Sequence, residues 1–278
     1  MFSFFSRAPA TSLSDEAIRW LFDATAWWTA NFGGFAALAS TPIVLPTDDY
    51  FTLDGTLEGE ELAELIFASV LEHAQMLEWH VVLEAEDSFD IQRALGPLPH
   101  HVSSADIPPS DEEGVPIPEG EPLVVTYRAE NLEDPVTLVA HMARSLSHYL
   151  LYEAAQPVPG TAEQRPCYVD LGAVLMGFGL FLANASFRFR QFTTGTMLGW
   201  QSSRSGTLSQ AELGYALAIM VEATSADDRG LLRLLDANPR ADVSAARKDI
   251  RKRWQKQLDA LRGVQASEGG PYRSVSSS

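Results

Sequence analysis

Six histidines, one cysteine and the carboxylates are the first groups to consider in this chain for holding a metal or moving a proton. Their spacing narrows the field. His141, Arg144, Ser145 and His148 fall within "AHMARSLSHYLL", and Cys167 and Asp170 follow in "PCYVDLG". His100 and His101 stand side by side upstream, without the cysteine or carboxylate partners that a zinc site needs at set spacing, and read as a solvated pair. His141 and His148 share nearly one helical face, but about 10.5 Å of rise separates them, and helical side chains lean the same way instead of converging. Ser145 and His148, three apart, are within reach as nucleophile and base. No strained elbow or oxyanion motif accompanies them, which argues against a serine hydrolase.

The elements that must position these groups are legible from caps and periodicity. Ser14, followed by Asp15 and Glu16, opens a helix to about Asn31 that Gly33 and Gly34 stop. Its Trp20, Phe22, Trp27 and Trp28 read as core anchors. "TPIVLPTDDYF" is extended between prolines, "EGEELAELIFASVLEHAQML" has helical spacing, and "EWHVVLEAED" is a short strand. Pro97 to Pro122 is dense in proline, glycine and acids and reads as a long surface loop, with "LVVTYR" a second strand beyond it. Asp134 and Pro135 then give an N-cap and first-turn proline for a helix to about residue 153, which carries Arg144, Ser145 and His148. The loop "QPVPGTAEQRP" leads into an apolar helix from about Pro166 to Phe187. Ser209 and Glu212 form a capping box. "VSAARKDIRKRWQKQLDALR" is one basic helix with a solvated face against an acidic body, and residues 263–278 are a flexible tail.

Composition excludes several classes. With 278 residues and 46% apolar content the chain can bury a large core, as one domain or two intimate ones. A net charge of −17 is wrong for phosphate backbones, so no nucleic-acid partner is expected. A single cysteine cannot form an internal disulfide, and a reducing cytoplasm is the expected location. "MFSFFSRAPATSLSDE" lacks a basic stretch before a short apolar run and does not read as a signal peptide. The tract from Val169 to Phe187 approaches membrane-spanning length. Asp170, Asn184 and three glycines within it favour a buried core helix, so no membrane association is expected.

Three blocks in order carry a resemblance: "LVAHMARSLSHYLL", "DLGAVLMGFGLFLANASF" and "GWQSSRSGTLSQAELGYALAI". Together with "WWTANFGG" and "PIVLPTDDYF" they resemble a bacterial group of zincin-like, HExxH metallopeptidase-like proteins, over most of residues 15 to 225. In that group an HExxH helix supplies two zinc-binding histidines and a glutamate that activates water, and a later helix supplies a third ligand. The resemblance places the first metal histidine on Arg144, the catalytic glutamate on Ser145, the second histidine on His148 and the third ligand position on Asp170.

That correspondence implies a degenerate site. Only His148 and Asp170 remain as ligands, two donors where zinc usually takes three or four from the protein. Ser145 cannot act as the base near neutral pH. A carboxylate left in a core without its cation is costly, and Arg144 could supply the missing positive charge in bidentate form, in an ion pair with Asp170 with His148 hydrogen-bonded nearby. The alternative is that Arg144 lies on an exposed face and Asp170 merely caps a helix. Cys167, one turn before Asp170, could complete a rearranged His148, Asp170, Cys167 zinc site, although a lone cysteine is more often a small apolar filler. The expectation is an α+β, mainly α-helical fold of zincin-like architecture: residues 1–122 an N-terminal part with short strands, 123–262 a helical part holding the relic site, 263–278 a tail. The expected function is a pseudoenzyme that binds or scaffolds an unknown protein partner without a cofactor, the alternative being a metal-dependent hydrolase.

Overall fold

The computed structural model describes residues 11–52, 57–85, 122–193, 207–226 and 229–268. The first helix, α1 (Asp15–Asn31), forms where its cap demands: the Ser14 hydroxyl accepts from the Ala17 N–H, and Asp15 and Glu16 sit in the first turn. A short α2 (Gly34–Ser40) and α3 (Gly59–His73) follow. Strands β1 (Val81–Ala85) and β2 (Leu123–Tyr127) pair in parallel from Val81↔Leu123 to Ala85↔Tyr127. Parallel pairing needs a crossover of a dozen or more residues, and the sequence between the strands provides ample length. His100, His101 and the Pro97–Pro122 loop lie, apart from Pro122, outside the described residues.

Helix α4 (Pro135–Tyr152) begins on Asp134, whose carboxylate accepts from the Thr137 hydroxyl at 2.7 Å, with Pro135 in the first turn. It packs against β2 with unusual intimacy. Tyr149 Oη donates to the Val124 carbonyl at 2.6 Å, and His141 Nε2 to the Thr126 carbonyl at 2.8 Å. Carbonyls two residues apart lie on one edge of a strand, so α4 supplies donors where a third strand would have paired.

The apolar tract departs from the expected single helix. It divides into α5 (Arg165–Ala173) and α6 (Gly179–Thr193), joined by a π-turn over Val174–Phe178 in which Gly177 adopts φ +101°. The extended segment before residue 47 passes over this break: Val44 N–H donates to the Gly177 carbonyl at 3.0 Å, and a Cβ at Gly177 would run into the Pro42 carbonyl. Only glycine tolerates both that dihedral and that approach. The tract is mostly interior: within residues 162–186, long and apolar enough to cross a membrane, 89% of the apolar window is buried in the protein itself. Asn184 there is anchored at both ends, donating to the Leu234 carbonyl and accepting from the Asp236 N–H.

Helix α7 (Gln210–Thr224) opens with the expected box, Ser209 and Glu212 each bonding the other's backbone. α8 (Arg229–Leu234), α9 (Ala237–Arg253) and α10 (Gln255–Arg262) complete the order. The basic stretch is thus two helices, not one, broken at buried Trp254, whose indole N–H donates to Asp249. Nor is its basic face simply solvated. Arg247 and Arg251 both hold Glu222 of α7, at 2.6 and 2.7 Å, and Arg253 joins Asp249 to Asp15 of α1. The chain beyond α10 also departs from a loose tail: the Val264 carbonyl accepts from Phe35 N–H, and Ser267 N–H donates to the Ala30 carbonyl.

One apolar core joins these elements, with Val70 and Met76 from the first part and Leu146, Phe178 and Leu217 from the second in the same cluster. Phe22 and Trp28 are buried in it, while half-buried Trp20 and Trp27 meet Tyr168 edge-on. The protein is mainly α-helical, with a small two-stranded parallel sheet.

Candidate functional site

Of the three groups on α4, Arg144 meets α5 at Asp170, Ser145 bonds its own helix and His148 packs on its neighbours Tyr149 and Tyr152. Arg144 Nε lies 2.6 Å from Asp170 Oδ1, and the side chains are 23% and 5% exposed. The contact is a close, charge-assisted pair held largely away from water. The other oxygen, Oδ2, accepts from the Leu208 N–H at 2.9 Å, just before the α7 cap. Asp170 therefore does both things the sequence left open: it pairs with an inward Arg144 and holds the entry to a helix. Burial pushes its carboxyl above the usual range, and the Arg144 charge and the Leu208 bond pull it part of the way back.

His148 is 3% exposed, and the hydrogen bond expected of it beside the ion pair is absent: neither ring nitrogen has a partner among the described residues. Its ring meets the rings of Tyr152 and Tyr149 edge-on, at 5.2 and 6.0 Å. Burial, helped by the nearby Arg165 cation, lowers its pKa to about 4, so the ring is neutral at pH 7. Ser145 is buried and donates back to the His141 carbonyl of its own helix at 3.1 Å. No nucleophile–base bond joins Ser145 to His148, which disposes of the hydrolase dyad in this geometry. His141 is engaged with β2, one reason it does not join His148.

The residues do not fit a zinc ion well. Both Asp170 oxygens are engaged, and the Cys167 thiol is pushed up to about 12 by burial and by the charges of Asp170 and Glu212, far from the thiolate that zinc binds. Among the described residues no group of three or more His, Cys, Asp or Glu is placed to share an ion. Among the buried polar atoms of the described residues, both ring nitrogens of His148 have no protein partner.

Two participants went unnoticed in the sequence. Arg165, the first residue of α5, places its guanidinium 4.7 Å over the Tyr152 ring, with Nε buried and unpaired. A signal for it existed: a cation at a helix N-terminus opposes the helix dipole, so its presence there asks for another reason. Leu208 contributes only its backbone N–H, which no side-chain pattern announces. Compared with known protein families, curated proteins and solved structures, the chain matches none.

Proposed function

We propose that this chain is a metallopeptidase-like protein that has given up catalysis, with the Arg144 guanidinium occupying the role of the lost cation, and that it acts by binding a protein partner. The observation that carries this reading is the 2.6 Å contact between Arg144 and Asp170 deep in the protein. An inward cation on the residue that the HExxH pattern assigns to a ligand, paired with the residue assigned to another ligand, is what charge replacement demands. Ser145 offers no base, and the His148 ring is buried and neutral. Nothing in this arrangement activates water; the scaffold remains for recognition.

The two partnerless nitrogens of His148 favour a second reading, a hydrolase that recruits a metal through His148, Asp170 and Cys167. It requires Asp170 to abandon Arg144 and Cys167 to lose a proton held up to about 12. Metal analysis of the purified protein separates the readings. The proposal expects no stoichiometric zinc in the natural protein and a new chelatable site in Arg144→His, since that single change would restore a third donor. Stoichiometric zinc, together with peptide cleavage abolished by chelator and by His148→Ala, would overturn it.

A further inference from the structure

We propose that a row of lysines on α9 and α10 docks the acidic start of α3 in a second copy of this chain. All three lysines of the sequence, Lys248, Lys252 and Lys256, lie there at four-residue intervals. Trp254 N–H still donates to the Ile250 carbonyl and Leu258 N–H to the Trp254 carbonyl, so the turn-by-turn spacing carries across the break. The lysines therefore form one exposed row along about 12 Å of rise.

Carboxylates outnumber cations by 37 to 20 in the chain, yet none of the three lysines forms an ion pair among the described residues. The arginines beside them are engaged: Arg247 and Arg251 hold Glu222, Arg253 holds Asp249 and Asp15, and Arg262 holds Asp259. Arginine fastens these helices to the body, and lysine is left facing outward. Like charges one turn apart repel and weaken a helix, so the row costs stability in the isolated chain. The helix dipole accounts for Lys252 in the last turn of α9, but it opposes Lys256 in the first turn of α10.

Helix α3 carries the complement. Glu60, Glu61 and Glu64 are exposed there, and none of them forms an ion pair among the described residues. Glu60 and Glu64 stand one turn apart, as the lysines do. Both bear on the Tyr127 hydroxyl, whose pKa is raised by burial and then by these two charges, so they share one side of the helix. The two rows match in spacing and oppose in sign, and each offsets the repulsion inside the other. They do not meet within one chain, because α3 packs on α4 and β1 while α9 packs on α7 and α6. A membrane fits the lysines less well: anionic lipid surfaces draw on clusters of roughly four to eight cations. The exposed large apolar side chains, Leu77 and Tyr152, also lie on other elements.

The test is sedimentation velocity of the full chain from about 10 μM to about 1 mM, since exposed ion pairs are individually weak and give weak association. At about 20 mM salt the mean sedimentation coefficient should climb with concentration, and about 300 mM salt should weaken association at least tenfold. Reversing the row with Lys248→Glu, Lys252→Glu and Lys256→Glu together should leave a monomer, as should Glu60→Lys, Glu61→Lys and Glu64→Lys together. An equal mixture of the two variants should associate again, because each then offers the other a row of opposite sign. Both variants keep a net negative charge, so general attraction cannot imitate that rescue. Should a reversed variant fail to fold, glutamine at the same positions must weaken association about tenfold. The proposal falls if the natural protein stays monomeric at low salt, if association survives either reversal, or if the mixture stays monomeric. Capture of a monomeric natural protein by phosphatidylserine vesicles, lost on reversing the lysines, would assign the row to a membrane and overturn the proposal as well.

Discussion

Removing the Arg144 guanidinium should leave an isolated carboxylate in the core, and the size of the penalty follows from the two exposures. Asp170 is 5% exposed and Arg144 23%, so Arg144→Met strands the deeper charge. Breaking a buried pair from one side costs about 3–5 kcal/mol, a large part of a typical total of roughly 5–15 kcal/mol. Asp170→Asn strands the shallower charge, which can lean toward water, and the amide oxygen still accepts from Leu208 N–H. That change should cost only about 1–2 kcal/mol. The asymmetry has a pH signature. Burial holds the Asp170 carboxyl above its unfolded value, and Arg144 opposes that rise; in Arg144→Met the opposition is gone. A group with a raised folded pKa binds its proton more readily in the native state. Its contribution is complete below the unfolded pKa and is lost as pH climbs through the folded one, with a slope of at most about 1.4 kcal/mol per pH unit. The Arg144→Met deficit should therefore widen between pH 5 and pH 7 by up to about 2.7 kcal/mol. Urea denaturation followed by circular dichroism at pH 5, 6, 7 and 8 measures this, with Arg144→Lys as a milder variant should Arg144→Met fail to fold. Equal costs for Arg144→Met and Asp170→Asn, both independent of pH, would show that no buried pair is formed.

His148 carries the opposite sign: its folded pKa of about 4 lies below the ordinary 6.5, so stability from the neutral ring is complete above pH 6.5 and falls toward pH 4. A proton NMR titration of the ring should find its midpoint near 4, and a midpoint at 6 or above would contradict the buried, partnerless setting. Gly177→Ala should cost about 2–4 kcal/mol, from a disallowed φ and the collision with Pro42, by thermal denaturation; a loss under about 0.5 kcal/mol would deny the close approach. Cys167 should react with iodoacetamide at pH 8 far more slowly than a free thiol, given a pKa of about 12, and alkylation at an ordinary rate would place it elsewhere. Glu222→Gln should release both Arg247 and Arg251 and lower stability by about 1 kcal/mol, these being partly exposed pairs of a network.

What the sequence made legible is whatever local chemistry fixes. The α1 start is set by Ser14, the α4 start by Asp134 and Pro135, and the α7 start by the Ser209 and Glu212 box; each is a short-range bond that needs no tertiary partner. The strands at Val81–Ala85 and Leu123–Tyr127 were likewise readable, though their parallel register was not, because register comes from contacts between segments far apart in the chain. The break at Gly177 escaped for the same reason. A glycine in an apolar helix signals nothing until a second segment, here Pro42 to Val44, comes to lie on it. Trp254 shows the limit from the other side: helical periodicity runs straight through "RKRWQKQ", and only the pull of Asp249 on the indole and the burial of the ring end one helix and begin the next.

The Arg144–Asp170 pair lies between these cases, and that is why it was partly foreseeable. Two charged residues of opposite sign in apolar surroundings, Arg144 in "LVAHMARSLSHYLL" and Asp170 in "VDLGAVLMGFGL", cannot each be buried alone without a penalty far above what one domain can bear. The resemblance to HExxH proteins put both residues at ligand positions, and the cost of burying either charge alone then linked them across 26 positions of sequence. The same reasoning could not reach Arg165, since a half-exposed cation needs no carboxylate. Buried ionic groups announce their partners; buried neutral ones reveal a missing partner only when every neighbour is in place.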